Sequence, residues 1–179
     1  GTGFVIEDGY VLTNAHVVAG TERVALDTVV GVKPAQVVLF DPDTDIAVLR
    51  AEELGLPELR WAEDELAVND SAVVMGYPKS GPFEAAPVRI RGKLEIAGPD
   101  IYTTGRVERE AYTIRGNIRQ GNSGGPLLNP EGEVAGMIFG ASLDTSETGY
   151  ALTAHQVQQR VGDVRSLTRP ADTQACVSG

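Results

Sequence analysis

The sequence predicts an all-β protein built in two halves and closed by a single C-terminal helix. Three observations carry that reading. Apolar and polar residues alternate in short runs, as half-buried strands require. Glycine (21) and proline (10) punctuate those runs along the 179 residues and supply the turns between many short strands. Only one stretch, near the end, spaces its apolar residues as a helix does.

From the start, GTGFVIEDGYVLTNAHVV reads as two short strands around a tight turn at Asp8–Gly9. Phe4 and Ile6, then Val11 and Thr13, fall on alternate positions. Arg23–Asp27, Ala35–Phe40, Ile46–Leu49 and Ser71–Met75 continue the series. The Gly-, Pro- and Ser-rich stretch YPKSGPFEAAP, residues 77–87, is taken as the connection between halves. That places a first half at 1–80 and a second at 81–165, followed by a tail at 166–179. VRIRGKLEI, EAYTIR, VAGMIFG and TGYALT supply the second set of strands, with Arg89, Arg91 and Lys93 on a solvated face. In TAHQVQQRV, Ala154, Val157 and Val161 share one helix face and Thr153 can cap the first turn. Beyond Pro170 the tail is polar and expected to be loosely held.

A chain that is 42% hydrophobic can bury a real core. Its net charge of −10, from 25 acidic against 15 basic side chains, excludes nucleic acid and anionic lipid as partners, since both need concentrated Lys and Arg. The apolar runs are strand-sized, far short of the roughly 20 residues that span a bilayer. One cysteine and two histidines cannot make a usual structural zinc site, and no metal or cofactor is expected.

The chemistry concentrates in QGNSGGPLLN, residues 120–129. Flanking glycines let a tight turn present the Ser123 hydroxyl, and they let main-chain N–H groups approach a substrate oxygen. A serine hydroxyl becomes a nucleophile only when a base takes its proton. Of the two histidines, His155 lies on the amphipathic helix and reads as a solvated residue, whereas His16 follows a strand in TNAHVV. An imidazole base needs a carboxylate on its other nitrogen to fix the tautomer. FDPDTDIAVLR offers Asp41, Asp43 and Asp45. Asp45 stands at the mouth of an apolar strand, while Asp41 and Asp43 read as turn-formers around a proline. His16, Asp45 and Ser123 are therefore the candidate triad.

TNAHVV, DPDTDIAVL and GNSGGPL, in that order, resemble the trypsin-like peptidases, and within them the bacterial HtrA/Deg-type branch. The likeness runs from Gly1 to about Gln159. GTGFVI, TNAHVVAG, GPDIY, YTIR, ETGYALTA and ACVSG narrow it to mycobacterial periplasmic proteases of acid resistance. The resemblance implies a serine endopeptidase of chymotrypsin-like fold: two antiparallel barrels of the six-stranded type, with His16 and Asp45 on the first and Ser123 on the second. It implies an oxyanion hole from the N–H groups of Gly121 and Ser123, Asn117 at the base of the specificity pocket, Phe139, Gly140 and Ala141 along the substrate, and Thr148–Ala151 as the facing wall. A neutral Asn117 argues against a strong preference for Arg or Lys.

Two departures from the digestive members matter. Asn122 stands where those enzymes place an aspartate that pairs with a freed N-terminus, and Gly1–Thr2–Gly3 does not look like such a terminus. The alignment also leads one to expect a first-barrel strand upstream of Gly1. The likeness implies an extracytoplasmic domain acting on polypeptides, tethered by an upstream membrane segment. Outside the cytoplasm the odd Cys176 then suggests a disulfide partner, also upstream of Gly1. The sequence admits two other readings: an inactive protease-fold binding module, and an α/β-hydrolase esterase, whose Gly-x-Ser-x-Gly matches formally. The order His, Asp, Ser and the all-β pattern oppose the esterase.

Overall fold

The computed structural model describes residues 1–142 and 147–177. Eleven strands and two α-helices are found among the described residues. β1 (Phe4–Glu7) and β2 (Tyr10–Thr13) form the predicted hairpin, with Gly9 at φ 86° in its turn. A single helical turn, α1 (Ala15–Val18), follows, then β3 (Arg23–Thr28), β4 (Gly31–Asp41) and β5 (Ile46–Arg50). These five strands make one open antiparallel sheet in the order β1-β2-β5-β4-β3. Across the described residues, then, the first half is a five-stranded sheet rather than a closed barrel of six.

The second sheet is a ring. β6 (Ser71–Gly76), β7 (Glu84–Pro99), β8 (Arg106–Arg115), β9 (Pro126–Leu128), β10 (Val134–Ala141) and β11 (Thr148–Thr153) close in the order β10-β11-β8-β7-β6-β9. Because β6 pairs with both β7 and β9, the ring starts at Ser71, and the division expected near residue 80 falls inside it. Of the Gly- and Pro-rich stretch 77–87, residues 77–83 are a hairpin loop between β6 and β7, including a 3₁₀ turn at Pro78–Ser80, and residues 84–87 already belong to β7. The crossover is the segment 51–70, which buries Ala51 and Leu54 on the way. It straps the halves together by main-chain bonds, Leu59 N–H to the Val5 carbonyl and Ala62 N–H to that of Val134. Turn residues mark a loop, but they do not say whether it stays within a sheet or leaves it.

α2 (Ala154–Val161) starts as predicted: the Thr153 hydroxyl accepts from the Gln156 N–H at 3.1 Å. Val157 and Val161 are buried beneath it. They join a core that crosses between the halves, in which Leu12, Ile46 and Val48 pack with Leu128, Met137 and Leu152. Each half keeps a cluster of its own as well, around Leu49 in the first and around Tyr112, Ile114 and Ile138 inside the ring. The shared core fixes the seam between the sheets, and interiors packed to this density do not let the halves drift.

The tail is held, against expectation. The Gly20 N–H donates to the Thr173 carbonyl at 2.9 Å, and Ala171 N–H to that of Val37 at 2.8 Å. The Tyr102 hydroxyl donates to the Ala175 carbonyl at 2.8 Å. These contacts run almost wholly through main chain, so a polar composition conceals them.

Candidate active site

The site forms at the seam. β2 ends at Thr13, and Asn14 turns the chain into α1 so that His16 leaves the sheet on the first helical turn. Asp45 lies directly before β5 and is 4% exposed. Its φ of 63° is left-handed, a conformation that costs a non-glycine residue about 1–2 kcal/mol and needs neighbours to enforce it. Asn14 does so from one side, donating Nδ2 to the Asp45 carbonyl at 2.9 Å. So placed, the Asp45 carboxylate receives the main-chain N–H of His16 at 2.9 Å and meets His16 Nδ1 at 2.6 Å. An imidazole held this way presents Nε2 as the nitrogen free to take a proton.

Asp41 and Asp43 shape the turn, as the sequence suggests. The Asp41 carboxylate accepts from the N–H groups of Asp43 and Thr44, the Thr44 hydroxyl and the Arg160 guanidinium. Burial pushes the Asp41 pKa up, but its donors, Thr44 and Arg160 foremost, outweigh that and hold it below the ordinary carboxylate value. Arg109 was not foreseen. It reaches across from β8, buried to 6% exposure, and donates Nε to the Asp43 carbonyl at 3.0 Å and Nη2 to the Pro99 carbonyl at 3.1 Å. Its guanidinium also lies 5.6 Å from the centroid of the Phe139 ring. Burial lowers its pKa, opposed by the charges of Asp45, Asp100, Asp41 and Asp43. The signal was in the sequence: Arg109 shares a strand face with Val107 and Ala111, a charge on a face that should be covered.

The serine loop runs from Arg119 to Gly125 ahead of β9. Gly121 and Gly124 have φ of 98° and 90°, open to glycine at little cost. A Cβ at Gly124 would stand 2.0 Å from the Thr2 carbonyl oxygen and 2.4 Å from the Thr13 hydroxyl. The loop is thus pressed against the end of the strand that delivers His16. The structure brings the Ser123 loop and the His16–Asp45 pair to one seam, while His155 stays on α2, exposed and 3.5 Å from Glu110.

Comparison with known proteins follows the same lines. The family model of the trypsin-like peptidase domain matches residues 1–137. The chain belongs to the trypsin-like serine proteases. Serine protease Rv3671c (MarP) of Mycobacterium tuberculosis is 45% identical over 181 residues, covering 99% of this chain and 45% of that protein. A probable periplasmic DegP-like serine endoprotease of Chlamydia pneumoniae is 37% identical over 144 residues, 76% of this chain and 28% of its own. The chain therefore spans less than half the length of these curated relatives. The crystal structure of the active form of Rv3671c protease matches with a TM-score of 0.96 at 44% identity, covering 99% of this chain and 78% of that one. An inactive form matches at 0.84 and 42% identity, covering 94% and 84%. The narrower likeness, to an HtrA/DegP-type protease of mycobacteria, is borne out, and so is a chymotrypsin-like fold.

In this trypsin-like protease β10 is bonded to the serine loop at Ile138, whose carbonyl accepts from the Gly124 N–H at 2.8 Å and whose N–H donates to the Gly125 carbonyl at 2.9 Å. Phe139 is the bulged residue where the β10–β11 register shifts, between Ile138 paired with Ala151 and Gly140 paired with Tyr150. Bulges re-aim a side chain, and here the Phe139 ring lies 6.3 Å from that of Tyr150. Asn117 is exposed in the turn after β8. That turn follows β11: Gly116 N–H donates to the Glu147 carbonyl at 2.8 Å, and a Cβ at Gly149 would stand 2.6 Å from the Ile118 side chain. Asn122 is buried and uncharged, with its Oδ1 against Gly76.

Proposed function

We propose that this chain is the catalytic part of a serine endopeptidase that works through an acyl-enzyme, with His16, Asp45 and Ser123 as its triad. The observation that carries the reading is the double engagement of His16 by Asp45, beside a glycine-rich loop that presents a serine hydroxyl. His16 takes the Ser123 proton as the oxygen attacks a peptide carbonyl. The N–H groups of Gly121 and Ser123 receive the oxyanion. His16 then gives its proton to the leaving amine and activates the water that frees the acyl group.

Asn117, Phe139, Gly140 and Ala141 contact the substrate in this reading, with Thr148–Ala151 facing them. The substrate is an unfolded or extended polypeptide whose key side chain is not strongly basic. The protein acts outside the cytoplasm, in stress or acid resistance; the periplasmic naming of the DegP-like relatives supports the location. Among the described residues no helix is long and apolar enough to cross a membrane. A membrane tether would lie in a longer protein, and so would a disulfide partner for Cys176, which is exposed and unpaired here. The halves predicted at 1–80 and 81–165 share the site in this reading, with β6 paired into the second.

The test is hydrolysis of casein or a peptide amide, blocked by a phosphonyl fluoride and absent from Ser123→Ala. Full hydrolysis by Ser123→Ala would overturn the triad. A folded wild-type chain that neither cleaves nor labels would favour the inactive binding module.

A further inference from the structure

The N–H groups of Gly121 and Ser123 can serve an oxyanion only if the loop between them keeps one conformation, and Asn122 offers no charge to hold it. Four consecutive carbonyls, from Gln120 to Ser123, show what does. Gln120 accepts from the Lys79 N–H at 2.6 Å, and Asn122 from the Gly125 N–H at 2.9 Å. Gly121 accepts from the Thr2 hydroxyl at 2.7 Å, and Ser123 from the Thr2 N–H at 3.0 Å. In a trans peptide the C=O and N–H point in opposite directions. The Gly121 and Ser123 N–H groups therefore point opposite to the Gln120 and Asn122 carbonyls, away from the Lys79 and Gly125 N–H groups that hold those carbonyls.

Thr2 supplies two of the four bonds, and the Gly121 bond alone among them comes from a side chain. Its other polar groups are committed too: the hydroxyl accepts from the Tyr77 N–H at 3.1 Å, and its carbonyl accepts from the Thr13 hydroxyl at 2.7 Å. Thr2 is 7% exposed, so none of these bonds exchanges freely with water. Thr13, in turn, is in the strand that delivers His16.

We propose that Thr2 is the positioning residue of the oxyanion loop, its hydroxyl fixing the Gly121–Asn122 peptide and its N–H the Ser123–Gly124 peptide. The proposal rests on the serine-protease reading above. It gives the first sheet a second task, to hold the Ser123 loop as well as to supply His16 and Asp45. The same peptide keeps one other tie, the Asn122 N–H to the Arg119 carbonyl at 3.1 Å, so loss of the hydroxyl leaves it held at one end only, next to a glycine with no Cβ to limit it.

The experiment compares Thr2→Val, which keeps the shape and removes the hydroxyl, with Thr2→Ser, which keeps the hydroxyl. Kinetics on a peptide amide and affinity for a peptide aldehyde are measured together, because the aldehyde adduct of Ser123 places a tetrahedral oxygen in the hole. Thr2→Val is expected to lose about 10- to 100-fold in kcat with KM little changed. Aldehyde affinity should fall by a similar factor, and Thr2→Ser should recover most of both. If Thr2→Val does not fold, Thr2→Ala replaces it with the same expectation, since it also lacks the hydroxyl and keeps the main-chain bond. Unchanged kcat and aldehyde affinity in the hydroxyl-free variant would overturn the proposal, as would equal losses in Thr2→Ser. Failure of the underlying reading looks different: wild type without turnover, or Ser123→Ala with it.

Discussion

Asp45 meets His16 twice, at the main-chain N–H over 2.9 Å and at Nδ1 over 2.6 Å. The first bond anchors the start of α1 and the second sets the imidazole, so ring and backbone are oriented by one carboxylate. Asp45→Asn keeps the volume but no longer demands a proton on Nδ1. It is expected to lower kcat by about 10⁴, with folding retained. Asp43→Asn is expected to change kcat little, because Asp43 is exposed and contributes its carbonyl. Steady-state kinetics on both variants check this, and the reverse pattern would name Asp43 as the carboxylate.

Arg109 braces the same turn from the opposite half. Arg109→Met leaves the Asp43 and Pro99 carbonyls without their donor, at a cost of about 1–3 kcal/mol. Activity should fall with it as Asp45 loses its support. Lys at this position cannot reach two carbonyls with one planar fork, so Arg109→Lys should recover little. Denaturant midpoints and kcat for the two variants decide the matter; full rescue by Lys would mean that charge alone is what the site needs.

Asp41 makes an acid-stability prediction with a definite sign. Its folded pKa lies below the ordinary value, so its contribution is present above roughly pH 3.9, the unfolded value. It is lost only as pH falls further, through the lower folded value. Asp41→Asn should therefore be less stable than wild type at pH 7, as the carboxylate's bonds to Thr44 and Arg160 lose their charge. The gap should persist at pH 5 and close below about pH 4. Chemical unfolding at pH 7, 5 and 3 measures it; an equal gap at all three would remove ionisation from the explanation.

Asn117 gives a specificity prediction. Asn117→Asp places a carboxylate in the turn beside β11, and cleavage after Arg or Lys should rise about tenfold in kcat/KM relative to a neutral residue, about 1.4 kcal/mol. Paired peptide amides differing at that one residue supply the measurement. No change would place the pocket elsewhere.

The proposed triad can be read from the sequence because serine chemistry needs glycines, a strand-end histidine and a shielded carboxylate, and each leaves a local mark. Strand positions were legible for the same reason, since burial of one face writes a period of two. Other features act through groups that composition does not record. The tail docks by carbonyls at Thr173 and Ala175, invisible in a polar string. β6 joins the second sheet through its hairpin with β7 and its long-range pairing with β9, and the turn residues between β6 and β7 do not say that the sheet begins before them. Thr2 looks like any small residue between glycines, and only the geometry gives its hydroxyl a purpose. Arg109 is the intermediate case: its strand face was readable, its partners were not.

Trapping the acyl-enzyme tests the central claim most directly. The chain is mixed with an activated peptide ester, quenched in acid within the first turnover and digested for mass mapping. The account predicts one acyl group, on the peptide containing Ser123, with none in Ser123→Ala and slower formation in Asp45→Asn. Rapid ester hydrolysis with no acylated peptide, or with the acyl group on another residue, would contradict it.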